Sequence, residues 1–124
     1  MAQHNEIGKK GEALAQHYLQ NHGYTLLTCN WRFHKYELDI VCTHSNQLII
    51  VEVKTRSSEL FGQPYEAVTP QKIRRIVAAT QAYIYKYHID QEVRFDIVSI
   101  LISDSNEPKI KHIKDAFLPP INAY

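Results

Sequence analysis

The sequence has few residues that would divide the chain, cross-link it or bind a structural metal. Of 124 residues, only 4 are Gly, 5 are Pro and 2 are Cys, and no Pro/Gly/Ser-rich linker interrupts them. A chain of this length buries enough apolar surface to fold without disulfides or a structural metal. Cys29 and Cys42 fall in predicted strands without metal-ligand spacing, which indicates buried thiols. We therefore expect one domain over residues 1–116 and a tail at 117–124.

Long apolar runs and an excess of either charge are also absent. No stretch approaches the roughly 20 apolar residues of a membrane span, and the N-terminal residues lack the apolar region of a signal peptide. We therefore expect a cytoplasmic protein without a membrane partner. With 14 basic and 13 acidic residues, the formal net charge is +1. This balance excludes bulk attraction to nucleic acid, so any such binding must come from local basic clusters.

Hydrophobic periodicity predicts two helices and five strands. The first helix runs from Glu6 to His22, and the second begins at Thr69–Pro70, since Thr is a good N-cap and Pro a good first helical residue. The predicted strands are Tyr24–Cys29, Tyr36–Cys42, Leu48–Thr55, Glu92–Ile102 and Lys109–Lys114. The order α-β-β-β-α-β-β has a helix crossing between strands, which predicts an α/β fold with a mixed central sheet flanked by helices.

The inward stripe of the first helix contains an acidic residue. Its other members are Ile7, Gly8, Gly11, Ala15, Tyr18 and Leu19. Glu12 lies on this stripe, and an ionised carboxylate that faces a core needs a partner. Glu12 is therefore a candidate functional residue.

The second and third strands place two carboxylates on one predicted sheet face. If the hairpin turn centres on Ser45 and Asn46, Asp39 lies opposite Glu52, Val41 opposite Ile50 and Glu37 opposite Lys54. The same alternation puts Leu38, Ile40 and Cys42 on the other face. Opposed Cβ atoms lie roughly 5 Å apart, and two carboxylates at that distance repel by roughly 3 kcal/mol at an effective dielectric of about 20.

A divalent cation would turn this repulsion into attraction. Mg²⁺ prefers oxygen ligands, so Asp39 and Glu52, with the backbone carbonyl of Val53, form a candidate metal site. The cation would polarise a scissile phosphate and lower the pKa of a bound water. Between carboxylates the ammonium form of Lys54 is expected to be favoured, and we assign it first to positioning water and stabilising charge on phosphorus. A general-base role for Lys54 would require the metal to cancel much of the acidic field. Glu12 would bind a metal-ligated water or a second cation.

The same hairpin can also be interpreted without any functional site. Antiparallel hairpins often carry charges on a solvated face, and Glu37–Lys54 would then be an ordinary cross-strand pair. A Glu-x-Lys triplet is weak evidence by itself because both residues are common. The upstream Asp39 on the same face and the inward Glu12 make the pattern more specific.

Basic and aromatic residues provide candidate nucleic-acid contacts. Arg56, Lys72, Arg74 and Arg75 are candidates for a phosphate-binding rim, although Arg74 and Arg75 also suit a solvated helix face. Around Arg32, the aromatic residues are Trp31, Phe33 and Tyr36. These rings suit either base stacking or the core. We predict nucleic-acid binding by Arg32, Arg56 and Lys72.

Motifs spread along the chain resemble the YraN family of small bacterial proteins. They are Gly8-x-x-Gly11-Glu12-x-x-Ala15, Gly23-Tyr24, Asn30-x-Arg32, Glu37-Leu38-Asp39-Ile40-Val41, Val51-Glu52-Val53-Lys54-Thr55-Arg56, Phe61-Gly62, Lys72 and Arg94-Phe95-Asp96-Ile97-Val98. That family is similar to the PD-(D/E)XK nuclease superfamily, which includes archaeal Holliday junction resolvases. Two departures are Tyr36, where the family usually has Gly, and Leu38, which stands in place of the Pro of the superfamily motif.

The resemblance implies a restriction-endonuclease-like αβββαβ core and assigns roles residue by residue. Asp39 and Glu52 become metal ligands, Lys54 the catalytic lysine and Glu12 the helix acid. Because resolvases of this class act as dimers, a homodimer is also expected.

The leading hypothesis is a Mg²⁺- or Mn²⁺-dependent endonuclease that hydrolyses phosphodiester bonds in DNA, including branched or damaged DNA. One alternative is a nucleic-acid-binding module on the same fold without efficient catalysis. Another is a protein-interaction adaptor, which would expose an apolar patch around Tyr83, Tyr85 and Tyr87.

Overall fold

The fold has the element order that the sequence predicts. A computed structural model describes residues 2–57, 68–103 and 107–118, with side chains from residue 6 onward. The elements are α1 (Ala2–Asn21), β1 (Thr25–Phe33), β2 (Tyr36–His44), β3 (Gln47–Arg56), α2 (Pro70–Tyr87), β4 (Glu92–Leu101) and β5 (Lys109–Ile113). Residues 61 and 62 of the family-like motifs and most of the 117–124 tail lie outside the described residues. Neither described helix is long and apolar enough to cross a membrane.

The five strands form one mixed sheet with a helix on each face. The strand order is β1-β2-β3-β4-β5. All neighbours are antiparallel except β3 and β4, which are parallel because α2 crosses over between them. Ala15 and Leu19 of α1 pack on one apolar cluster, and Ile76 and Val77 of α2 pack on a second. The predicted α/β class, mixed sheet and helices on both faces are confirmed.

The turn between β2 and β3 sets the hairpin register. Ser45 and Asn46 have φ angles of 50° and 62°, the left-handed conformations that a two-residue hairpin turn requires. Val41 therefore pairs with Ile50, as predicted, and the ladder extends to Ile40 and Val51.

On the N-terminal side of Ile40, the predicted alternation of side chains between the two faces of β2 is wrong. Leu38 packs in the α2 cluster, whereas Ile40 packs in the α1 cluster. The neighbouring strand changes face at the same level, where Asn30 adopts a left-handed φ of 54°. A left-handed residue breaks the period of two, because it rotates the chain about its own axis. Asp39 therefore lies outside the regular ladder with β3.

Gly11 allows α1 to lie close to β3. A Cβ at residue 11 would overlap the side chain of Thr55, whereas a Cβ at Gly8 would meet no atom of the described residues within 4 Å. Gly11 is buried, as the predicted stripe requires. The close approach places α1 beside the end of β3 that carries Glu52 and Lys54.

Thr69 and Pro70 begin α2, as predicted. The backbone N–H of Lys72 donates to Thr69 Oγ1 at 3.2 Å, and Pro70 occupies the first turn. This N-cap fixes the start of the helix and therefore the height of Lys72 above the sheet.

A buried ionic network connects β4 to β5, and the sequence patterns did not predict it. Asp96 is fully buried and accepts hydrogen bonds from Arg94 at 2.8 and 2.9 Å and from the backbone N–H of Asp115 at 3.0 Å. His112 Nε2 lies 2.7 Å from Asp96 Oδ2. Burial raises the pKa of Asp96, but the bonds from His112, Arg94 and Asp115 outweigh it, and the pKa lies below its ordinary value.

We expect Gly11→Ala and Gly8→Ala to change stability in opposite directions. Alanine at residue 8 gains helix propensity in open space, whereas alanine at residue 11 forces Thr55 to move. The two variants should differ by roughly 1–3 kcal/mol in free energy of unfolding. Urea denaturation measures this difference. Equal stability of the two variants would contradict the close packing of α1 on β3.

Candidate functional site

A polar cleft opens between the sheet and the first turns of α2. Its volume is about 450 Å³. The lining residues are Lys35, Tyr36, Glu37, Asp39, Glu52, Thr69, Gln71, Lys72, Arg75 and Ile76. The cleft therefore brings together Asp39 and Glu52, the two carboxylates that the hairpin pattern predicted to be neighbours, and adds Lys72 from α2.

The carboxylate of Asp39 takes the place of a backbone partner at the end of the β2–β3 ladder. The Val53 N–H donates to Asp39 Oδ2 at 2.9 Å. Burial and the negative charge of Glu52 raise the pKa of Asp39 to about 7, although the bond from Val53 acts in the opposite direction. Asp39 is therefore an acid whose ionised form lacks sufficient positive charge nearby.

Glu52 is buried and has a lysine partner. Its side chain is 8% exposed, and Oε1 lies 2.7 Å from Lys72 Nζ. Sequence reasoning assigned Lys72 to nucleic acid and missed this ion pair. One sequence feature does indicate it. Lys72 follows the Thr69–Pro70 helix start, and the helix dipole disfavours a cation in the first turn, so an acidic neighbour would stabilise its side chain.

Lys54 is less basic than the sequence predicts. Burial, the hydrogen bond to Lys72 and the charge of Lys72 together lower its pKa to about 8, although the charges of Glu52 and Asp39 act in the opposite direction. The sequence expectation gave the wrong direction for the pKa shift, because it considered the carboxylates and omitted the second lysine; with a pKa of about 8, the ammonium still predominates at neutral pH. Near neutral pH, Lys54 can therefore give up a proton more readily than an ordinary lysine.

Glu12 lies close enough to act on the cleft but does not line it. Its Oε2 accepts a hydrogen bond from Asn30 Nδ2 at 3.2 Å, which supplies the partner that an inward carboxylate needs. Its negative charge also contributes to the raised pKa of Asp39. The role of Glu12 as the helix acid stays a prediction.

The predicted cross-strand pair of Glu37 and Lys54 was wrong. The β2–β3 ladder ends at Ile40 and Val51, before it reaches Glu37. On the other side of β2, Glu37 pairs with Arg32 of β1, and Arg32 Nη2 lies 3.5 Å from Glu37 Oε2. The change of face in β2 explains this, because it separates residue 37 from the hairpin register. Arg32 is an exposed neighbour of the cleft, and Arg56 lies at the end of β3 outside its lining.

Most of the aromatic residues near the cleft belong to the core. Trp31 makes an edge contact with Tyr83 at a centroid distance of 5.1 Å, and Phe33 packs against the same cluster. Tyr83 is only 3% exposed, which removes it from the predicted adaptor patch and leaves Tyr85 and Tyr87 exposed. Among the candidate stacking residues, Tyr36 is the one that lines the cleft.

The donor set of the cleft suits a hydrated oxygen-binding cation. Among the described residues, no group of three or more His, Cys, Asp or Glu side chains could hold a metal. Mg²⁺ needs only one or two carboxylates, because water and substrate phosphate complete its coordination. Asp39 and Glu52 fit this requirement, and a closed zinc site does not.

We expect Asp39→Asn to gain stability relative to the wild-type protein as pH rises, in the presence of EDTA. The raised pKa of Asp39, about 7, means that its stabilising contribution is complete below the unfolded pKa of about 4 and is lost as pH rises through 7. Asparagine avoids this loss. Between pH 5 and pH 9, the stability of the variant relative to wild type should improve by roughly 1–3 kcal/mol.

Urea denaturation at the two pH values tests this expectation, and Asp90→Asn provides the matched control because Asp90 is exposed. A relative stability of Asp39→Asn that is independent of pH would contradict the electrostatic strain at Asp39.

Comparison with known proteins agrees with the motifs. The profile of the uncharacterised protein family UPF0102 matches residues 11–100. A UPF0102 protein of Bacteroides thetaiotaomicron is 52% identical over 121 residues, covering 98% of this chain and 99% of the relative. A UPF0102 protein of Flavobacterium psychrophilum is 47% identical over 117 residues, covering 94% and 98%. The chain belongs to the UPF0102 family, which is the YraN family that its motifs resemble.

Proposed function

We propose that this protein is a divalent-metal-dependent nuclease that hydrolyses phosphodiester bonds in DNA, with Asp39 and Glu52 as ligands of Mg²⁺ or Mn²⁺. One observation carries the proposal: two carboxylates from adjacent strands share a half-buried cleft where the β2–β3 ladder ends. Such a pair is costly without a cation, since burial and mutual repulsion both oppose ionisation. A bound cation would polarise a phosphate and activate water.

The backbone of Val53 supports a third oxygen ligand. Within a strand, the N–H and C=O of one residue point toward the same neighbouring strand. The Val53 N–H donates to Asp39, so its carbonyl faces the same gap, beyond the last β2–β3 pair. This placement is consistent with the predicted set of Asp39, Glu52 and Val53.

Lys54 fits a role in proton transfer or in stabilising charge on phosphorus. Its half-buried ammonium shares the Glu52 face of β3, and its pKa of about 8 lies close to the operating pH of a cytoplasmic enzyme. Groups with a pKa near the ambient pH transfer protons most effectively.

Lys72 occupies the position of a counter-cation at Glu52. The 2.7 Å ion pair neutralises one carboxylate, and a divalent cation that binds Glu52 must compete with the ammonium. Once released, Lys72 would stay at the rim of the cleft, where its charge suits a substrate phosphate. Nucleic-acid binding by Lys72 and its observed ion pair are thus compatible.

The same ion pair favours a second candidate function. If Lys72 stays paired with Glu52, its ammonium neutralises that carboxylate and the cleft has no need of a metal ion. The protein would then bind nucleic acid without efficient catalysis. Metal binding by a Lys72 variant distinguishes the two candidates.

We expect the wild-type protein to cleave DNA in the presence of Mg²⁺ or Mn²⁺. A panel of single-stranded, duplex, flap and four-way substrates, resolved on denaturing gels, measures this activity. Asp39→Ala and Lys54→Ala should each lower the cleavage rate by at least about 100-fold, because they remove a metal ligand and the proton-transfer or charge-stabilising group. Asp90→Ala, an exposed aspartate on another surface, is the control. Absence of cleavage on every substrate with both metals would refute the proposal.

Lys72→Met should bind Mn²⁺ more tightly than the wild-type protein does, because no ammonium competes for Glu52. Displacing a charge-assisted hydrogen bond costs about 1.5–3 kcal/mol, so the affinity should rise roughly 10–100-fold. Isothermal titration without DNA measures the affinity, and thermal melts check that the variant folds.

Arg75→Met is the matched control, since it removes another cation of the same helix and cleft that lacks a carboxylate partner among the described residues. Unchanged or weaker binding by Lys72→Met would show that Lys72 does not compete with the metal. Absence of binding in every variant would favour the second candidate function.

A further inference from the structure

A second groove adjoins the cleft that holds Asp39 and Glu52, here called the acidic cleft, and lies beside α2. It has a volume of about 340 Å³ and is lined by Lys35, Tyr36, Gln71, Arg74, Arg75 and Ala78. Lys35, Tyr36, Gln71 and Arg75 also line the acidic cleft. The two recesses therefore adjoin and share one wall. The acidic cleft holds Asp39 and Glu52, whereas no carboxylate of the described residues lines the second recess.

The three cations of this basic groove come from two elements. Lys35 lies in the tight turn between β1 and β2, and Arg74 and Arg75 lie on α2. All three are exposed, and none has a carboxylate within ion-pair distance in the part of the chain that the structure describes. The whole chain carries a net charge of only +1, so this is a local segregation of positive charge, which is the mark of a polyanion site.

Charge differs between the two recesses, since the described carboxylates line only the acidic cleft, whereas Lys35, Arg74 and Arg75 line the basic groove. A phosphodiester strand would be attracted by Lys35, Arg74 and Arg75 and repelled by Asp39 and Glu52, unless a cation neutralises the carboxylates. The basic groove can therefore hold a strand whose next phosphate is delivered to the acidic cleft when metal is present.

Tyr36 lies where the two recesses join. It is partly exposed and lines both of them. Unpaired bases stack on aromatic side chains, whereas the bases of an intact duplex are already stacked on each other. A concave groove with an aromatic residue in the wall that it shares with the acidic cleft therefore suits one strand better than a duplex, whose phosphates lie on a broad convex surface.

We infer that the groove formed by Lys35, Tyr36, Arg74 and Arg75 binds a single DNA strand and leads it into the acidic cleft, so that the substrate is DNA with an unpaired segment beside the cleaved bond. This inference rests on the proposed nuclease function for the cleavage step. The binding step stands on the groove alone.

Binding of a fluorescein-labelled single-stranded oligonucleotide in EDTA tests the charge of the groove. For single strands, log Kd changes with log salt by about 0.7 per neutralised phosphate. Replacement of Lys35, Arg74 and Arg75 by alanine should therefore lower the salt slope by about 2 and weaken binding at least about 10-fold at low salt.

Replacement of Lys9, Lys10 and Lys111 by alanine is the matched control. It removes the same charge from exposed residues on α1 and β5, away from the groove, and should leave most of the slope in place. Equal effects of the two triple variants would overturn the inference, since binding would then depend on total charge. The same holds if polyglutamate competes as well as DNA, or if an RNA strand binds more tightly than DNA.

Replacement of Tyr36 tests the stacking contact separately from charge. Tyr36→Leu should weaken single-strand binding by about 10-fold, whereas Tyr36→Phe, which keeps the ring, should bind as the wild-type protein does. Neither change should affect binding of a blunt duplex. Equal binding by both variants would contradict the role of Tyr36.

Cleavage assays separate the failure of this inference from the failure of the proposed function. If the groove variants lose strand binding but no metal supports cleavage by the wild-type protein, the groove stands and the nuclease proposal fails. If cleavage occurs and the groove variants cleave flap DNA at the wild-type rate, the inference is overturned while the nuclease proposal stands.

Discussion

The constraint on which this site depends is that one cleft holds two carboxylates, the buried Glu52 and the partly buried Asp39. Asp39 leaves the regular β2–β3 ladder and accepts a hydrogen bond from Val53, while Glu52 is buried on the adjacent strand. Their repulsion and desolvation raise the pKa of Asp39 to about 7. Two lysines lie beside this negative charge. Lys72, in the first turn of α2, forms an ion pair with Glu52, and Lys54 lies close by with a lowered pKa.

The ammonium of Lys72 and the proposed divalent cation would compete for the same carboxylate, Glu52. The ammonium of Lys72 neutralises Glu52 at 2.7 Å but lowers the pKa of Lys54, so a lysine pair is an imperfect solution for the carboxylate pair. A divalent cation would satisfy both carboxylates and release Lys72 toward the basic groove. A purely structural ion pair would not need the second carboxylate. Stability alone would not need the ion pair either, since replacing buried ion pairs by apolar residues is often neutral or stabilising.

The sequence predicted those features of the fold that depend on residues adjacent in the chain. The Ser45–Asn46 turn fixes the hairpin, and Thr69–Pro70 fixes the start of α2. Local patterns did not predict the change of strand face between Leu38 and Ile40, which lies at the level of the left-handed Asn30 of the neighbouring strand. They also missed Lys72 as the partner of Glu52, and therefore gave the wrong direction for the pKa of Lys54. The Arg94–Asp96–His112 network was missed for a similar reason, since His112 reaches Asp96 only after β5 pairs with β4.

Anomalous diffraction from a crystal soaked in Mn²⁺ is the most direct test of whether Asp39 and Glu52 form a cation site. We expect an anomalous peak between the two carboxylates, with Val53 as a neighbour and the ammonium of Lys72 turned away from Glu52. A crystal without a peak in the cleft, in which Lys72 still pairs with Glu52 at high Mn²⁺ concentration, would contradict this expectation.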